Sequence, residues 1–465
     1  MIIAVVGAGG KTSTIKNLAK KYCEEGKRVL VTTTTHMMIE EETVLTEDAE
    51  QIEKVLKEKG YAMVGVRDED APLKIKSLPE SVYVQACQYA DIILVEADGS
   101  KHMPLKYPNS SEPVIPENAD EIMVVCGLHG LGKKAKDVCH RLELVTEKLG
   151  IAEETEITPA HIQQLITEGY LNPLREKYGE KKIYVSPAHD GSLYHRVVAS
   201  LLRNEQDVSF LKEEWFYPQP KLIICGGGHV GREVAEFASK LDFYVKVIDD
   251  RKELVTKDRF PTADEVICDS FDRLNEYLEP NSFVVVATPD HKADYKCVRT
   301  ILPTDYTYLG MIGSKGKVAK TKHMLKEEGF TEQQIASIHA PIGLAIGAVT
   351  PAEIAISILA EIIQVKNQHS ATYADTALLT CKEQGILCLI TEKKGSAPRG
   401  VGSMMLVCDD KIIGSVGGGL AEYMAIEKAK KTQKIEVQRY ELEKTLPNGI
   451  DMICGGNIQV IFIPI

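Results

Sequence analysis

The chain has 465 residues, and at about 100–200 residues per domain this length predicts two to four domains, of which we expect three. Apolar residues make up 44% and charged residues 26%, so each domain can bury a core. The formal net charge of −12 excludes a general electrostatic attraction to nucleic acid. Local groups must therefore hold any anionic ligand.

The cysteines and the apolar segments predict a cytoplasmic protein with no membrane role. Eleven cysteines, an odd number without a C-x-x-C pair, are typical of reduced thiols. The first residues, MIIAVVGAGG, lack the basic flank and cleavage site of a signal peptide. The apolar stretch 341–363 carries Pro351, Glu353 and Glu361, which make it too polar for a membrane span.

Residues 1–205 alternate strand-like and helical runs. The strand-like runs lie at residues 2–6, 28–34, 91–96 and 121–126. A helix is predicted at 11–25, and residues 140–205 are expected to be mostly helical with a short strand near 182–186. Because strands that alternate with helices form parallel sheets, we predict an α/β domain over 1–205.

Between the first strand and the first helix lies the glycine-rich sequence GAGGKTS. Such a loop can cradle phosphates with its backbone N–H groups, while Lys11 reaches the β/γ oxygens and Thr12 binds Mg²⁺. The spacing is the short G-x-x-G-K-T form, and the alternative is a glycine turn that only packs a strand onto a helix. The predicted residues of this P-loop-like site for ATP or GTP are Gly7, Gly9, Gly10, Lys11, Thr12 and Ser13.

Two acidic residues close the strand-like run ILVE in the manner of a Walker B acid. Glu96 and Asp98 are predicted, together with Thr12, to hold Mg²⁺ directly or through water. Asp98 and Lys11 are also candidates for catalysis. The run TTTTH at 32–36 follows the second strand and could reach a phosphate or a metal, although alternating threonine is also ordinary strand composition.

The motifs GAGGKTS, TTTTH, VEADGSKHMPLKYP and CHR together resemble the YqeC family, which is implicated in selenium-dependent molybdenum hydroxylase systems. The resemblance covers roughly residues 1–205, and VEADGSK is its most specific part. It implies an NTP-binding domain.

Residues 206–220 are predicted to be a linker, and a second β-α-β series runs over 221–365. The sequence KLIICGGGHVGREVAEFASKLDFYVKVIDDR places G-x-G-x-x-G between a strand and a helix, followed by a second strand that ends in acids. This is the pattern of a Rossmann-type dinucleotide site, in which glycines approach phosphates and an acid binds ribose hydroxyls. The residues assigned to it are Gly226, Gly228, His229, Gly231, Asp249 and Asp250.

Polar groups follow two further strands of this domain. Ligands of open α/β sheets bind outside the carboxyl ends of the strands, so these groups are expected to converge on the same cleft. They are Thr288, Asp290, His291, Gly313, Ser314 and Lys315. The motifs TPDHKAD, YLGMIGSKGK and PIGLAIGAVTPAEIAISILAEII resemble the Rossmann domain of the XdhC/CoxI family, the xanthine dehydrogenase accessory factors.

Residues 370–465 are predicted to form a small α+β domain with glycine-rich anion loops. The candidate ligand groups are Ser396, Arg399, Gly417, Gly418 and Gly419. GSAPRG, GSVGGGLAE and MICGGNIQV resemble the other XdhC/CoxI domain, in permuted order, since that domain precedes the Rossmann unit in many relatives. Family members commonly carry cysteine where this chain has Leu420, and Cys454 is the remaining thiol near a loop and a third catalytic candidate.

The resemblance implies a maturation factor that binds the molybdenum cofactor and aids its sulfuration or selenation before insertion. The implied partners are a molybdenum hydroxylase apoenzyme and a sulfur or selenium donor protein, with a homodimer as a candidate assembly. Two alternatives stay open. The Rossmann glycines would serve an NAD-dependent oxidoreductase equally well, and the short G-x-x-G-K-T loop would suit an ATP-dependent ligase of the Mur type.

Overall fold

The computed structural model describes residues 1–279, 282–368, 374–442 and 456–465. The chain divides into two compact units. The first comprises Met1–Lys212, Thr380–Arg399 and Met404–Ile465, and the second comprises Glu213–Leu379 and Gly400–Ser403.

A nine-stranded sheet organises the segment Met1–Lys212. Its strands are β1 (Ile2–Gly7), β2 (Val29–Thr33), β3 (His36–Met38), β4 (Thr43–Leu45), β5 (Tyr61–Arg67), β6 (Lys74–Lys76), β7 (Ile92–Glu96), β9 (Glu121–Gly127) and β11 (Lys182–Ala188). A separate two-stranded pair consists of β8 (Leu105–Lys106) and β10 (Cys139–His140).

Helices and helical turns connect these strands. The helices are α1 (Lys11–Glu24), α2 (Ala49–Lys59), α3 (Glu80–Tyr89), α4 (Ala135–Val138), α5 (Leu142–Leu149), α6 (Pro159–Ile166), α7 (Asn172–Tyr178) and α8 (Leu193–Arg203). A 3-10 turn spans Leu128–Gly130, and a π-helical turn spans Thr167–Leu171.

The sheet order is β11-β9-β1-β7-β2-β5-β6-β3, with β4 also paired to β5. The strands from β11 to β5 run parallel, whereas β6 and β3 are antiparallel additions at one edge. β1 is buried along its whole length because its apolar side chains are covered on both faces, and Ile15 and Ala19 of α1 belong to the same core. The predicted α/β class is confirmed, and β7 lies beside β1.

The second unit contains a six-stranded parallel sheet. Its strands are β12 (Lys221–Cys225), β13 (Tyr244–Asp249), β14 (Glu265–Cys268), β15 (Ser282–Val286), β16 (Tyr306–Met311) and β17 (Ile338–His339). Its helices are α9 (His229–Ser239), α10 (His291–Ile301), α11 (Lys315–Glu327), α12 (Glu332–Ala336), α13 (Pro351–Gln368) and α14 (Thr376–Thr380), and 3-10 turns span Glu213–Phe216 and Phe271–Glu276.

The strand order β14-β13-β12-β15-β16-β17 is the 3-2-1-4-5-6 order of a dinucleotide-binding fold, so the predicted Rossmann-type domain is confirmed. Its switch point lies between β12 and β15, and in folds of this order ligands bind at the switch point, outside the carboxyl ends of the strands. α13 contributes Ala355, Ile358 and Ile362 to the core of this domain.

The last domain is a five-stranded antiparallel sheet with one helix. Its elements are β18 (Ile386–Lys394), β19 (Met404–Val407), β20 (Ile412–Gly414), α15 (Gly419–Ala429), β21 (Glu436–Glu441) and β22 (Asn457–Pro464). It packs with Met1–Lys212 in one unit, where the Ser200 hydroxyl donates to the Pro464 carbonyl at 2.6 Å. Over the part of the chain that the structure describes, no helix is both long and apolar enough to cross a bilayer.

Candidate phosphate-binding sites

The first glycine loop turns sharply between β1 and α1. Gly7, Gly9 and Gly10 have φ angles of 95°, 71° and 134°, a region that favours glycine. A Cβ atom on Gly7 would lie 2.0 Å from the Val125 carbonyl oxygen, so close packing alone demands glycine there. The case for a ligand therefore depends on the side chains that follow the turn.

The structure brings Lys11, Thr12 and Glu96 together above this loop. Because β7 lies beside β1, its last residue Glu96 reaches the start of α1. The distances are 3.8 Å from Lys11 Nζ to Glu96 Oε1 and 3.5 Å from Thr12 Oγ1 to Glu96 Oε2. Burial lowers the pKa of Lys11 and raises the pKa of Glu96. The opposite charges of the two groups act against both shifts, because each charge favours the ionised form of the other group.

Asp98 lies behind the loop. Its carboxylate is fully buried and accepts hydrogen bonds from the Gly7 N–H at 3.1 Å, from the Tyr170 hydroxyl at 2.8 Å and from Lys106. Lys106 also contacts Glu112, which in turn forms an ion pair with Arg141. A direct contact of Asp98 with Mg²⁺ would compete with these bonds, so Thr12 and Glu96 are the better placed ligands.

An open cleft of about 910 Å³ lies over the loop and is lined by many basic side chains. Besides Lys11, the cationic and imidazole groups in its wall are Lys74, Lys76, Lys101, Arg141, His36, His102, His129 and His140. Lys101, His102 and Arg141 adopt positive φ angles of 48°, 64° and 60°, a conformation that costs energy outside glycine and is often retained at binding sites. In a chain of net charge −12, this cleft is suited to an anionic ligand.

Several of these cleft residues were not identified from the sequence. Lys74 and Lys76 come from β6, where the alternation KIK places both lysines on one face of an edge strand.

The TTTTH run, which the sequence did identify, divides between two roles. Thr34, Thr35 and His36 line the cleft, whereas Thr33 donates to the Glu96 carbonyl at 2.7 Å. Ser13 also lines the cleft.

The three Rossmann glycines have different surroundings. A Cβ on Gly226 would lie 2.4 Å from the Ala287 carbonyl oxygen, and one on Gly231 would lie 2.1 Å from that of Gly226. A Cβ on Gly228 would meet no heavy atom within 4 Å. Two glycines therefore serve the packing of strand and helix, and the middle one leaves space for a ligand to approach the backbone.

Asp249 is the acid at the end of β13, and its carboxylate is already engaged. It is fully buried, accepts from the Gly227 N–H at 2.7 Å, and pairs with Arg251 Nε at 2.9 Å and Nη2 at 2.8 Å. Burial raises the pKa of Asp249, but these hydrogen bonds outweigh burial and hold it below its ordinary value. Asp250 is exposed.

The polar residues beyond β15 and β16 lie at helix starts. Asp290 caps α10 and Ser314 caps α11, followed by exposed Lys315. Thr288 is buried and donates to Asp294 at 2.5 Å. His291 differs from the others, because both its ring nitrogens are shielded from solvent and have no hydrogen-bond partner among the described residues.

The C-terminal glycine loop is an anion cradle that holds one of the chain's own carboxylates. Gly417, Gly418 and Gly419 have φ angles of 131°, 71° and 63°. The N–H groups of Val416, Gly417 and Gly418 point to Glu422 Oε2 at 3.0, 3.3 and 3.1 Å. The glycine turn thus holds the Glu422 carboxylate, four residues beyond Gly418, which was not identified from the sequence. Binding of a phosphate or pterin oxygen at this turn stays a prediction.

The other predicted groups of this domain lie near the loop or outside the described residues. A Cβ on Gly417 would lie 3.6 Å from Arg399 Cγ, which places Arg399 beside the turn. Ser396 is exposed and its backbone packs against Gly456. Leu420 is 42% exposed. Cys454 lies outside the described residues.

Three family models match successive parts of the chain. The model described as YqeC protein matches residues 3–143, the XdhC Rossmann domain matches residues 222–362, and the XdhC and CoxI family matches residues 378–441. These matches confirm the resemblance to both families and show that the XdhC Rossmann domain precedes the XdhC and CoxI domain in this chain.

Relatives in two bacteria match parts of the chain. YqeB of Escherichia coli (strain K12) is 39% identical over 152 residues, which are 32% of this chain and 28% of YqeB. YqeC of the same organism is 33% identical over 172 residues, 36% of this chain and 67% of YqeC. A Bacillus subtilis (strain 168) protein described as a probable xanthine dehydrogenase subunit is 31% identical over 153 residues, 32% of this chain and 44% of that protein.

A solved structure described as a xanthine dehydrogenase from Bacillus halodurans is 34% identical to the matched part. The match covers 32% of this chain and 44% of that chain, with a TM-score of 0.29. This chain thus spans less than half of the length of that protein and of YqeB.

Proposed function

The chain belongs to the YqeC family and joins that domain to both XdhC domains, and from this premise we propose that it is an accessory factor for a molybdenum hydroxylase. The observation that carries the proposal is the presence of the three domains in one chain. The Bacillus subtilis relative, described as a probable xanthine dehydrogenase subunit, suggests a client enzyme of that type. The client apoenzyme and a sulfur or selenium donor protein are the proposed partners.

In this proposal the N-terminal cleft binds ATP or GTP with Mg²⁺. Lys11 and the basic wall neutralise the phosphates, while Thr12 and Glu96 supply oxygen ligands of the kind that Mg²⁺ prefers. The magnesium ion would in turn stabilise the ionised form of Glu96, whose pKa burial raises. Nucleotide and metal are therefore expected to bind together.

The Rossmann crevice is the proposed site for the phosphate or nucleotide end of the molybdenum cofactor. The open space at Gly228 leaves room for a phosphate to approach the backbone, and the ring nitrogens of His291, which have no partner among the described residues, can donate to or accept from a polar ligand. When bound, the cofactor would bring its molybdenum centre and terminal sulfur or selenium ligand for transfer to the client. At the C-terminal loop, a pterin oxygen or phosphate would have to displace Glu422 before Gly417 and Arg399 could hold it.

An NAD-dependent oxidoreductase is the second candidate, favoured by the strand order of the Rossmann domain. The acid that would bind the ribose, Asp249, is instead paired with Arg251 and the Gly227 N–H. NADH formation or consumption with any aldehyde, alcohol or hydroxy acid would support this candidate over an accessory factor.

The experiment that tests the proposal is purification from a molybdenum-replete host, followed by metal analysis and pterin fluorescence. We expect molybdenum and pterin in a fixed ratio to protein, or binding when the cofactor is added. Gly228→Leu, which fills the open space at the crevice, is expected to abolish this binding. A protein that neither retains nor binds molybdenum and pterin would contradict the accessory role.

A further inference from the structure

Two thiols and a carboxylate meet at a place that none of the sites above uses. Cys381 and Glu383 precede β18, and Cys408 follows β19. The two strands are antiparallel with Ile386 opposite Val407, so residues just outside that pair come together at one end of the ladder. The two sulfur atoms and a Glu383 carboxylate oxygen all lie within 4.8 Å of one another.

The backbone that carries these three side chains is held in place by neighbouring groups. Arg196 of α8 donates from Nη1 to the Cys381 carbonyl at 2.9 Å and from Nη2 to the Glu383 carbonyl. The Cys408 N–H donates to the Lys411 carbonyl at 2.9 Å and closes a turn after β19. The ligand atoms are therefore arranged by the fold itself, which lowers the cost of ordering them around an ion.

The donor set is suited to a thiophilic cation. Cysteine sulfur and glutamate oxygen are both zinc ligands, and thiolates select zinc over the hard cations Mg²⁺ and Ca²⁺. Lys411 lies 2.5 Å from Glu383 Oε1, so two thiolates and one carboxylate would be balanced by a divalent ion and this ammonium group. Cys381 is buried, Cys408 is half-buried and Glu383 is exposed, which leaves the ion a route from solvent.

We propose that Cys381, Cys408 and Glu383 form a binding site for a thiophilic divalent cation such as Zn²⁺. Three protein ligands leave the fourth tetrahedral position to water. The site is separate from the nucleotide cleft and the glycine loops, and it does not depend on the accessory role proposed above. The competing use of two adjacent thiols is a disulfide, which would form only under oxidation.

The test measures metal binding by the full chain. The protein is reduced, stripped with a chelator and titrated with Zn²⁺ against a chromogenic chelator, and then with Co²⁺ to record thiolate-to-cobalt charge-transfer absorption. We expect one tight equivalent and a cobalt spectrum with sulfur ligation. Cys381→Ser and Cys408→Ser should each lose that equivalent.

Two further variants separate ligation from folding. Glu383→Gln keeps the shape of an exposed side chain. Loss of a group that only hydrogen-bonds to a metal ligand lowers metal affinity roughly 10–100-fold, so loss of the Glu383 ligand itself should weaken zinc binding at least that much. Cys268→Ser removes an exposed thiol elsewhere in the chain and should leave the titration unchanged. Unaltered zinc binding in Cys381→Ser and Glu383→Gln would overturn the proposal, as would a Cys381–Cys408 disulfide that forms in air while the reduced protein binds no zinc.

Discussion

In the proposed function, Lys11 is the residue on which nucleotide binding in the N-terminal cleft would most depend. It is 4% exposed, donates to the Gly7 carbonyl at 2.7 Å and lies next to Glu96. Burial lowers its pKa, so an incoming phosphate would provide the counter-charge that favours the protonated form.

We predict that Lys11→Ala weakens binding of Mg²⁺-ATP or Mg²⁺-GTP by about 10–100-fold, the range expected for a lost charge-assisted hydrogen bond. Calorimetry with each nucleotide measures the effect. Lys20→Ala, at an exposed position of the same helix, is the control and should bind as the parent does. Equal binding by both variants would refute a phosphate-binding role for Lys11.

Because of the hydrogen bonds to Glu422, we expect the free energy of unfolding to depend on pH in the acid range. Burial raises its pKa, but hydrogen bonds from Ser415 and the loop N–H groups outweigh burial and hold it below the ordinary value of 4.5. The ionised carboxylate therefore stabilises the folded state above pH 4.5, and this contribution is lost as the pH falls through the lower folded-state pKa. Thermal unfolding of Glu422→Gln should be less sensitive to pH in that window than the parent, and an identical pH profile would count against the cradle.

At the scale of elements, the turns between strands and helices were the most predictable features. The sequence signals of the Rossmann turn are local, since Gly226, Gly228 and Gly231 lie within one strand, turn and helix. The basic wall of the N-terminal cleft could not be predicted in this way. Lys74 and Arg141 are far apart in sequence and come to line the same cleft only through the tertiary fold.

Paired glycine substitutions test the division of roles in the Rossmann turn. Gly231→Ala should lower the free energy of unfolding by about 1–3 kcal/mol, because its Cβ would clash with the Gly226 carbonyl. Gly228→Ala, with a backbone φ of −71° and open space, should keep the stability of the parent. Chemical denaturation of both variants distinguishes them, and equal destabilisation would argue against the assigned roles.

At the scale of the whole molecule, the three sequence-predicted domains group into two compact units. The C-terminal sheet shares a unit with Met1–Lys212, although the segment Glu213–Leu379 of the second unit separates them in the chain. Local sequence motifs do not indicate which domains pack together, so this association could not be predicted from the sequence. The boundaries 1–205, 221–365 and 370–465 stay predictions.

Truncation tests this association. Helix α8 packs against β22, so removal of residues 380–465 uncovers part of that helix and takes away the carbonyl that accepts from the Ser200 hydroxyl. We predict that residues 1–212 then unfold at a lower temperature than in the full chain. Scanning calorimetry measures this, and addition of residues 380–465 as a separate chain should restore part of the loss. Unchanged unfolding of the truncated chain would show that the contact is dispensable.

The Glu422 carboxylate in the C-terminal cradle has a consequence for ligand selection. A tethered group competes with free solutes at an effective concentration in the millimolar range or above. Common monovalent anions, which resemble the resident carboxylate in charge, would gain little by exchanging with it. A phosphate dianion carries more charge and more acceptor oxygens. If the loop takes a ligand as proposed, Glu422 would therefore yield to such a dianion more readily than to a monovalent anion.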